Sequence, residues 1–294
     1  MPMCSQLDET ICNIFNLKAI IRPMEKMRPP YLKEMRLRAD RMLPGVFPYT
    51  LPFLRAGAFS LGFRRPVTIL TGENGSGKST LLEAIAVQCG FDAGGGGRNN
   101  ATQMSRRTGD PDVDSDRDEI GDADVGAGSE ADSRAASAYP LDQALRLSWL
   151  PKVTNGFFFR AETFHRFSTY IDQMARRWPM MRDAYGGGRD LGTMSHGESF
   201  LALFENRLAS GQRSLFLLDE PESALSPARQ QRLLDLMSDW GGSNQTQIIM
   251  ATHSPLLMSH PDAEVLLVDG AEIRPVDFRE TPQFKVMKAF FDSV

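Results

Sequence analysis

Nine consecutive residues, Gly72-Glu73-Asn74-Gly75-Ser76-Gly77-Lys78-Ser79-Thr80, fit the pattern G-x-x-x-x-G-K-[ST]. Glycines at this spacing let the backbone curl until several N–H groups point at one anion. A helix starting at the end of the loop would add its dipole to that attraction. The pattern assigns Lys78 to the β- and γ-phosphates of a nucleotide and the Ser79 hydroxyl to Mg²⁺. A Gly-rich turn that merely caps a helix is the plain alternative.

Two further stretches carry the chemistry such a loop needs. Leu215-Phe216-Leu217-Leu218-Asp219-Glu220-Pro221 is an apolar run closed by two adjacent carboxylates. A buried strand of this kind puts Asp219 and Glu220 at the carboxyl edge of a sheet, where parallel folds bind ligands. Asp219 would hold the Mg²⁺ shell, and Glu220 would polarise the attacking water for in-line phosphoryl transfer. Alone, two acids at a strand end are as readily a solvated terminus; downstream of an anion loop they read as function. Ala251-Thr252-His253-Ser254 closes another apolar strand, and His253 is read as a γ-phosphate contact.

The elements that must position these residues follow from pattern. Val67 to Leu70 is a short buried strand running into the loop, and Thr80 to Cys89 is a helix stopped by Gly90. Leu141 to Leu150 reads as a helix, Gly156 to Arg160 as a strand, and Thr169 to Trp178 as a helix. After the turn Gly186-Gly187-Gly188, Glu198 to Ala209 reads as a helix. Pro227 to Trp240 reads as another, with Ser226 as N-cap and Pro227 at the first helical position. Gln247 to Ala251 and Glu264 to Asp269 read as strands. Strands separated by helices predict an α/β domain with a mainly parallel sheet. Residues 46 to 63, where apolar stretches alternate with Pro and Gly, predict an antiparallel edge.

Composition divides the chain. Residues 1–28 are a weakly patterned lead-in, and 29–294 form a single domain with a helical lobe at about 139–212. Within that domain, about 92–138 reads as a disordered Gly/Asp-rich insertion, too poor in apolar residues to order itself. Of the formal net charge of −4, the stretch Gly109 to Asp132 alone contributes ten acids against one Arg. The rest is therefore mildly basic, with seven Lys/Arg against three acids between Arg22 and Arg41. That stretch is read as a solvated helix face, with nucleic acid or an acidic protein as the alternative partner. Cys4, Cys12 and Cys89 have no metal-ligand spacing and fit a reducing compartment. The first thirty residues lack a signal-peptide core, and no apolar run is long enough to span a bilayer, so a cytoplasmic protein is expected. Trp149, Trp178 and Trp240 are read as packing anchors; one of Tyr49, Phe53 and Phe63 is expected to stack on adenine.

With these motifs the chain resembles the ABC-class ATPases, and within them the SMC-like, stand-alone bacterial branch. Met194-Ser195-His196-Gly197-Glu198 looks like the signature motif of that class, and Ser223-Ala224-Leu225-Ser226 like the loop that crosses its dimer interface. Phe158-Phe159-Arg160-Ala161-Glu162 and Ser195-His196-Gly197-Glu198-Ser199-Phe200 are similar to segments of small bacterial "predicted ATPases". The resemblance runs from about Tyr49 to Asp269. It implies ATP and Mg²⁺ as ligands, ATP hydrolysis, and a head-to-tail dimer in which Ser195 and Gly197 meet the γ-phosphate held by the partner subunit. It favours a soluble ATPase of DNA maintenance or defence over a transporter's ATP-binding subunit or a nucleotide-controlled switch with little turnover. Three departures stand out. His196 replaces a Gly, Ser226 replaces an Asp, and the Gln that ligates Mg²⁺ is missing, with Glu162 its substitute. No heptad run lies between loop and signature, so the long coiled coil of SMC relatives is not expected.

Overall fold

The computed structural model describes residues 27–98, 141–207, 212–242 and 244–293. Most of the segment 1–28, Cys4 and Cys12, and the Gly/Asp-rich insertion from residue 99 to 138 lie outside these residues. Two sheets carry the fold. The larger has the order β5-β6-β7-β3-β8-β9. These are Gly156–Arg160, Ser214–Asp219, Thr246–Ala251, Val67–Gly72, Ala263–Asp269 and Glu272–Val276. Its strands are parallel except β9, which forms a hairpin with β8. The smaller sheet is antiparallel, with β1 (Leu32–Leu37) between β2 (Ser60–Gly62) and β4 (Leu145–Trp149).

Every residue of β3, β6 and β7 is buried, as expected of central parallel strands covered on both faces. Alternate side chains serve two cores. Phe216 and Leu218 of β6 face one cluster, built with Phe159, Phe200, Phe204 and Trp240. Leu215 and Leu217 face the other, built with Leu81, Ile85, Leu32 and Leu61. The first core is closed by three helices inserted between β5 and β6, namely Phe164–Arg177, Met180–Gly186 and His196–Arg207, and by Pro227–Gly242. The second is closed by the helix Lys78–Cys89 and the antiparallel sheet.

A buried Gln247 ties the two sheets together. Its Oε1 accepts from Tyr31 N and Leu32 N, both at 2.8 Å, and its Nε2 donates to Leu32 O at 3.0 Å.

Several expectations need correction. The described part of the basic stretch, from residue 27 on, is not a solvated helix face: Leu32–Leu37 is the central strand of the small sheet, and an irregularity between Leu32 and Glu34 breaks the alternation that would have revealed it. The helix expected at 141–150 is one turn, Leu141–Ala144, followed by β4. The lobe's helices therefore begin only at Phe164. Of the antiparallel edge expected at 46–63, Ser60–Gly62 alone is a strand; Pro52–Arg55 is a helical turn with Pro52 at its first position. Residues 92–98, the start of the expected insertion, are in place, with Gly96 bridged to Phe158. Trp240 packs edge-on against Phe204 and Phe216 as an anchor, whereas Trp178 is largely exposed. Among the described residues no helix is long and apolar enough to cross a membrane.

Candidate functional site

The Gly-rich loop lies where the sequence puts it, between β3 and a helix over Lys78–Cys89, which we label α1. Its N-cap is Gly77 in the left-handed region, with no side-chain cap on the first helical N–H groups. A Cβ at Gly77 would stand 2.8 Å from Leu51 Cδ1, and one at Gly72 would run into the Val268 carbonyl oxygen. Both positions therefore need glycine for space as well as for φ.

Lys78 is buried, and its Nζ donates to Gly72 O at 3.1 Å and Glu73 O at 2.9 Å. Burial lowers its pKa, and the charges of Glu220, Asp219, Glu73 and Glu222 push the other way. The next residue crosses to the neighbouring motif: Ser79 Oγ donates to Asp219 Oδ1 at 2.9 Å. Asp219 is only 5% exposed. Burial pushes its carboxyl up to about 6, against the Ser79 hydrogen bond and the Arg160 charge. Among the described residues no group of three His, Cys, Asp or Glu is placed to hold a metal. A pair of hard oxygen donors is nonetheless the protein share that suits Mg²⁺, which keeps waters and substrate phosphates as its other ligands.

Glu220 follows in the left-handed region at φ 47°, uncommon for a side chain of its size. Its N–H donates to Ala251 O at 2.9 Å, which locks the end of β6 to β7. The carboxylate, 43% exposed, has Oε1 3.7 Å from His253 Nε2. That ring nitrogen is buried without a hydrogen-bond partner among the described residues. The His253 backbone is held by a residue the sequence reading missed: its N–H donates to Glu222 Oε1 at 2.6 Å. The second acid of Glu220-Pro221-Glu222 was the available signal.

Lys78, Ser79, Asp219, Glu220 and His253 thus share one sheet edge, with Gly72 to Thr80 curled beside them. Glu162 does not join them. Its side chain is 77% exposed and pairs with Arg160 at 3.4 Å, because a 3-10 turn over Ala161–Thr163 follows the strand directly. Arg160 is the second residue missed; a charged side chain closing an otherwise buried strand was its signal. Tyr49, Phe53 and Phe63 are all buried in the second core, so none offers an open face to adenine. Cys89 is held unreactive by burial, which pushes its thiol up to about 12.

Ser195 and Gly197 stand at the start of the helix His196–Arg207. Ser195 N and Oγ both donate to Glu198 Oε2, at 2.9 and 2.7 Å, so the Glu198 carboxylate reaches back to the start of its own helix, as the acid of a capping box does. Gly197 is the point of close approach for Arg229 and the Ala224 carbonyl, each 3.0 Å or less from where a Cβ would sit.

Residues 185–259 match the family model described as "AAA domain, putative AbiEii toxin, Type IV TA system", and residues 51–132 match one described as "AAA domain". The chain is 34% identical over 216 residues to the hemin import ATP-binding protein HmuV of Burkholderia ambifaria, across 69% of this chain and 75% of that one. The chain belongs to the ABC-class P-loop ATPases. A shorter likeness, 48% over 44 residues and 18% of the relative, is to the thiamine import ATP-binding protein ThiQ of Photobacterium profundum. Among solved structures, the Smc head bound to the C-winged helix domain of ScpA aligns with TM-score 0.44 at 15% identity. It covers 88% of this ABC-class chain and 100% of that one, and it adds no weight to the assignment.

Proposed function

We propose that this ABC-class protein hydrolyses ATP with Mg²⁺, as a head-to-tail dimer whose two sites each draw on both subunits. The observation that carries the reading is the Ser79–Asp219 hydrogen bond of 2.9 Å, with Glu220 and His253 at the same sheet edge. The loop from Gly72 to Thr80 cradles the triphosphate with backbone N–H groups, and Lys78 neutralises its terminal charge. Ser79 and Asp219 would hold Mg²⁺, which would supply further neutralisation of charge developing on the phosphates. Glu220 takes the proton of the attacking water, and His253 meets the γ-phosphate. Ser195 and Gly197 lie at a helix start where both hydrogen bonds donated by Ser195 run to Glu198; on this reading they complete the partner subunit's site. The protein works in the cytoplasm, where ATP is abundant.

The test is the steady-state Mg-ATPase rate per subunit against protein concentration. We expect the wild-type rate to rise with concentration, and Glu220→Gln to lower it by about 10²–10⁴-fold, the usual worth of a general base. A flat, near-zero rate in both with ATP still bound would sink hydrolysis by the isolated protein and leave a nucleotide-controlled switch.

What the cycle acts on has two readings. The hemin-import relatives favour an ATP-binding subunit driving a membrane partner, and co-purification with a multi-span membrane protein would support it. A role in DNA maintenance or defence would rest on Arg146, since Arg36 opposite it across the β1–β4 ladder is already paired with Glu34 at 2.7 Å. The affinity for DNA would then fall with salt.

A further inference from the structure

Arg160 closes β5, in register with Asp219 at the end of β6. Register partners on neighbouring strands project to the same face, so both side chains leave the sheet on the side of α1. The guanidinium lies among three carboxylates: Nη1 is 3.1 Å from Glu83 Oε2, Nη2 is 3.4 Å from Glu162 Oε2, and Nε is 3.8 Å from Asp219 Oδ2. Glu83 belongs to α1, and Glu162 to the turn that leads into Phe164–Arg177. Nε is buried and has no hydrogen-bond partner among the described residues. The contact with Asp219 is therefore electrostatic rather than a formed bond, while Glu83 takes the close contact.

We propose that Arg160 is a positioning residue that opposes the metal at Asp219 and so sets how strongly nucleotide binding depends on Mg²⁺. The inference rests on Ser79 and Asp219 being the Mg²⁺ donors. A fixed cation beside a carboxylate weakens that carboxylate's hold on any second cation, by Coulomb repulsion. Glu83 and Glu162 give the guanidinium somewhere to be drawn when a divalent ion takes Asp219. One of these acids stands on the phosphate-loop helix and the other at the entrance to the helical lobe, so the same movement would link the site to both elements.

The experiment measures the affinity of a fluorescent ATP analogue in excess Mg²⁺ and in EDTA, and takes their ratio, with folding checked by circular dichroism. Arg160→Gln should raise the ratio by roughly threefold to tenfold, the scale of a partly screened charge interaction. Arg160→Lys, which keeps the charge, should return it to within about twofold of wild type by the same electrostatic argument. Glu83→Gln removes the nearest competing acid, lets the guanidinium lean on Asp219, and should lower the ratio. A purely structural role would shift both affinities together and leave the ratio alone. A ratio unchanged or moved in the opposite direction in Arg160→Gln overturns the proposal, as does an unchanged or raised ratio in Glu83→Gln. Should wild type bind no nucleotide under either condition, the ATP-binding reading falls with it.

Discussion

At the residue scale the site carries a cost that its chemistry explains. Asp219 is a buried carboxylate whose pKa is raised to about 6, first by desolvation. An acid whose folded pKa exceeds its unfolded value destabilises the fold when ionised. The penalty is complete above about pH 6 and absent below about pH 4, the unfolded carboxylate's range. Asp219→Asn should therefore raise the stability of the metal-free protein by about 1–2 kcal/mol at pH 7.5, after allowing for a weaker bond to Ser79. The gain should shrink as pH falls from 6 to 4, and Mg²⁺-dependent nucleotide binding should be lost. Chemical denaturation at several pH values would show it; an Asn variant less stable than wild type at pH 7.5 contradicts the account. Glu220, held at positive φ, is a second place where local comfort yields to position.

At the element scale the junction of the two sheets depends on one amide. Gln247 is fully buried in β7 and satisfies the N–H groups of Tyr31 and Leu32 as well as the Leu32 carbonyl. Gln247→Leu keeps the volume roughly but strands two buried donors and an acceptor. We expect a loss of at least about 3 kcal/mol, since each of the three orphaned buried groups costs about 1–3 kcal/mol. The antiparallel sheet should also lose amide-exchange protection before the parallel one does. A change below about 0.5 kcal/mol, the usual range for surface positions, would mean that the clamp is idle. The bonds from Ser195 to Glu198 belong to this scale too, because they show that a residue read as a ligand contact also anchors the start of the helix His196–Arg207.

At the scale of the whole molecule, the two halves of the proposed site do not meet within one chain through any bond made by the Ser195 side chain, which is engaged by Glu198. On the proposed reading, a second copy brings its Ser195 region to each phosphate loop. With ATP, Glu220→Gln should convert from monomer to dimer in sedimentation. The double variant with Ser195→Arg should remain monomeric while still binding ATP. A dimer that forms equally with and without nucleotide would count against composite sites. The exposed Val286, Met287, Phe290 and Phe291 on the helix Pro282–Asp292 give the surface an apolar strip that the motif reading did not anticipate.

What the sequence settled by itself was whatever is contiguous. The loop from Gly72 to Thr80, the strand end at Asp219 and Glu220, and His253 are each a local pattern of a few residues. Buried strands before them, alternating with helices, were enough for the α/β class, and the family came from the resemblance that these motifs carry together with the segment Met194 to Phe200. Only the tertiary structure decided matters of distance between segments remote in sequence. It placed Arg160 with Glu83 and Asp219, moved Glu162 onto Arg160, and buried Tyr49, Phe53 and Phe63 in the second core. It also made a strand of Leu32–Leu37, whose bulge had erased the period of two on which a sequence reading depends. Charges and aromatic rings find partners through the sheet register and the packing of helices upon it, and neither is written in the residues that flank them.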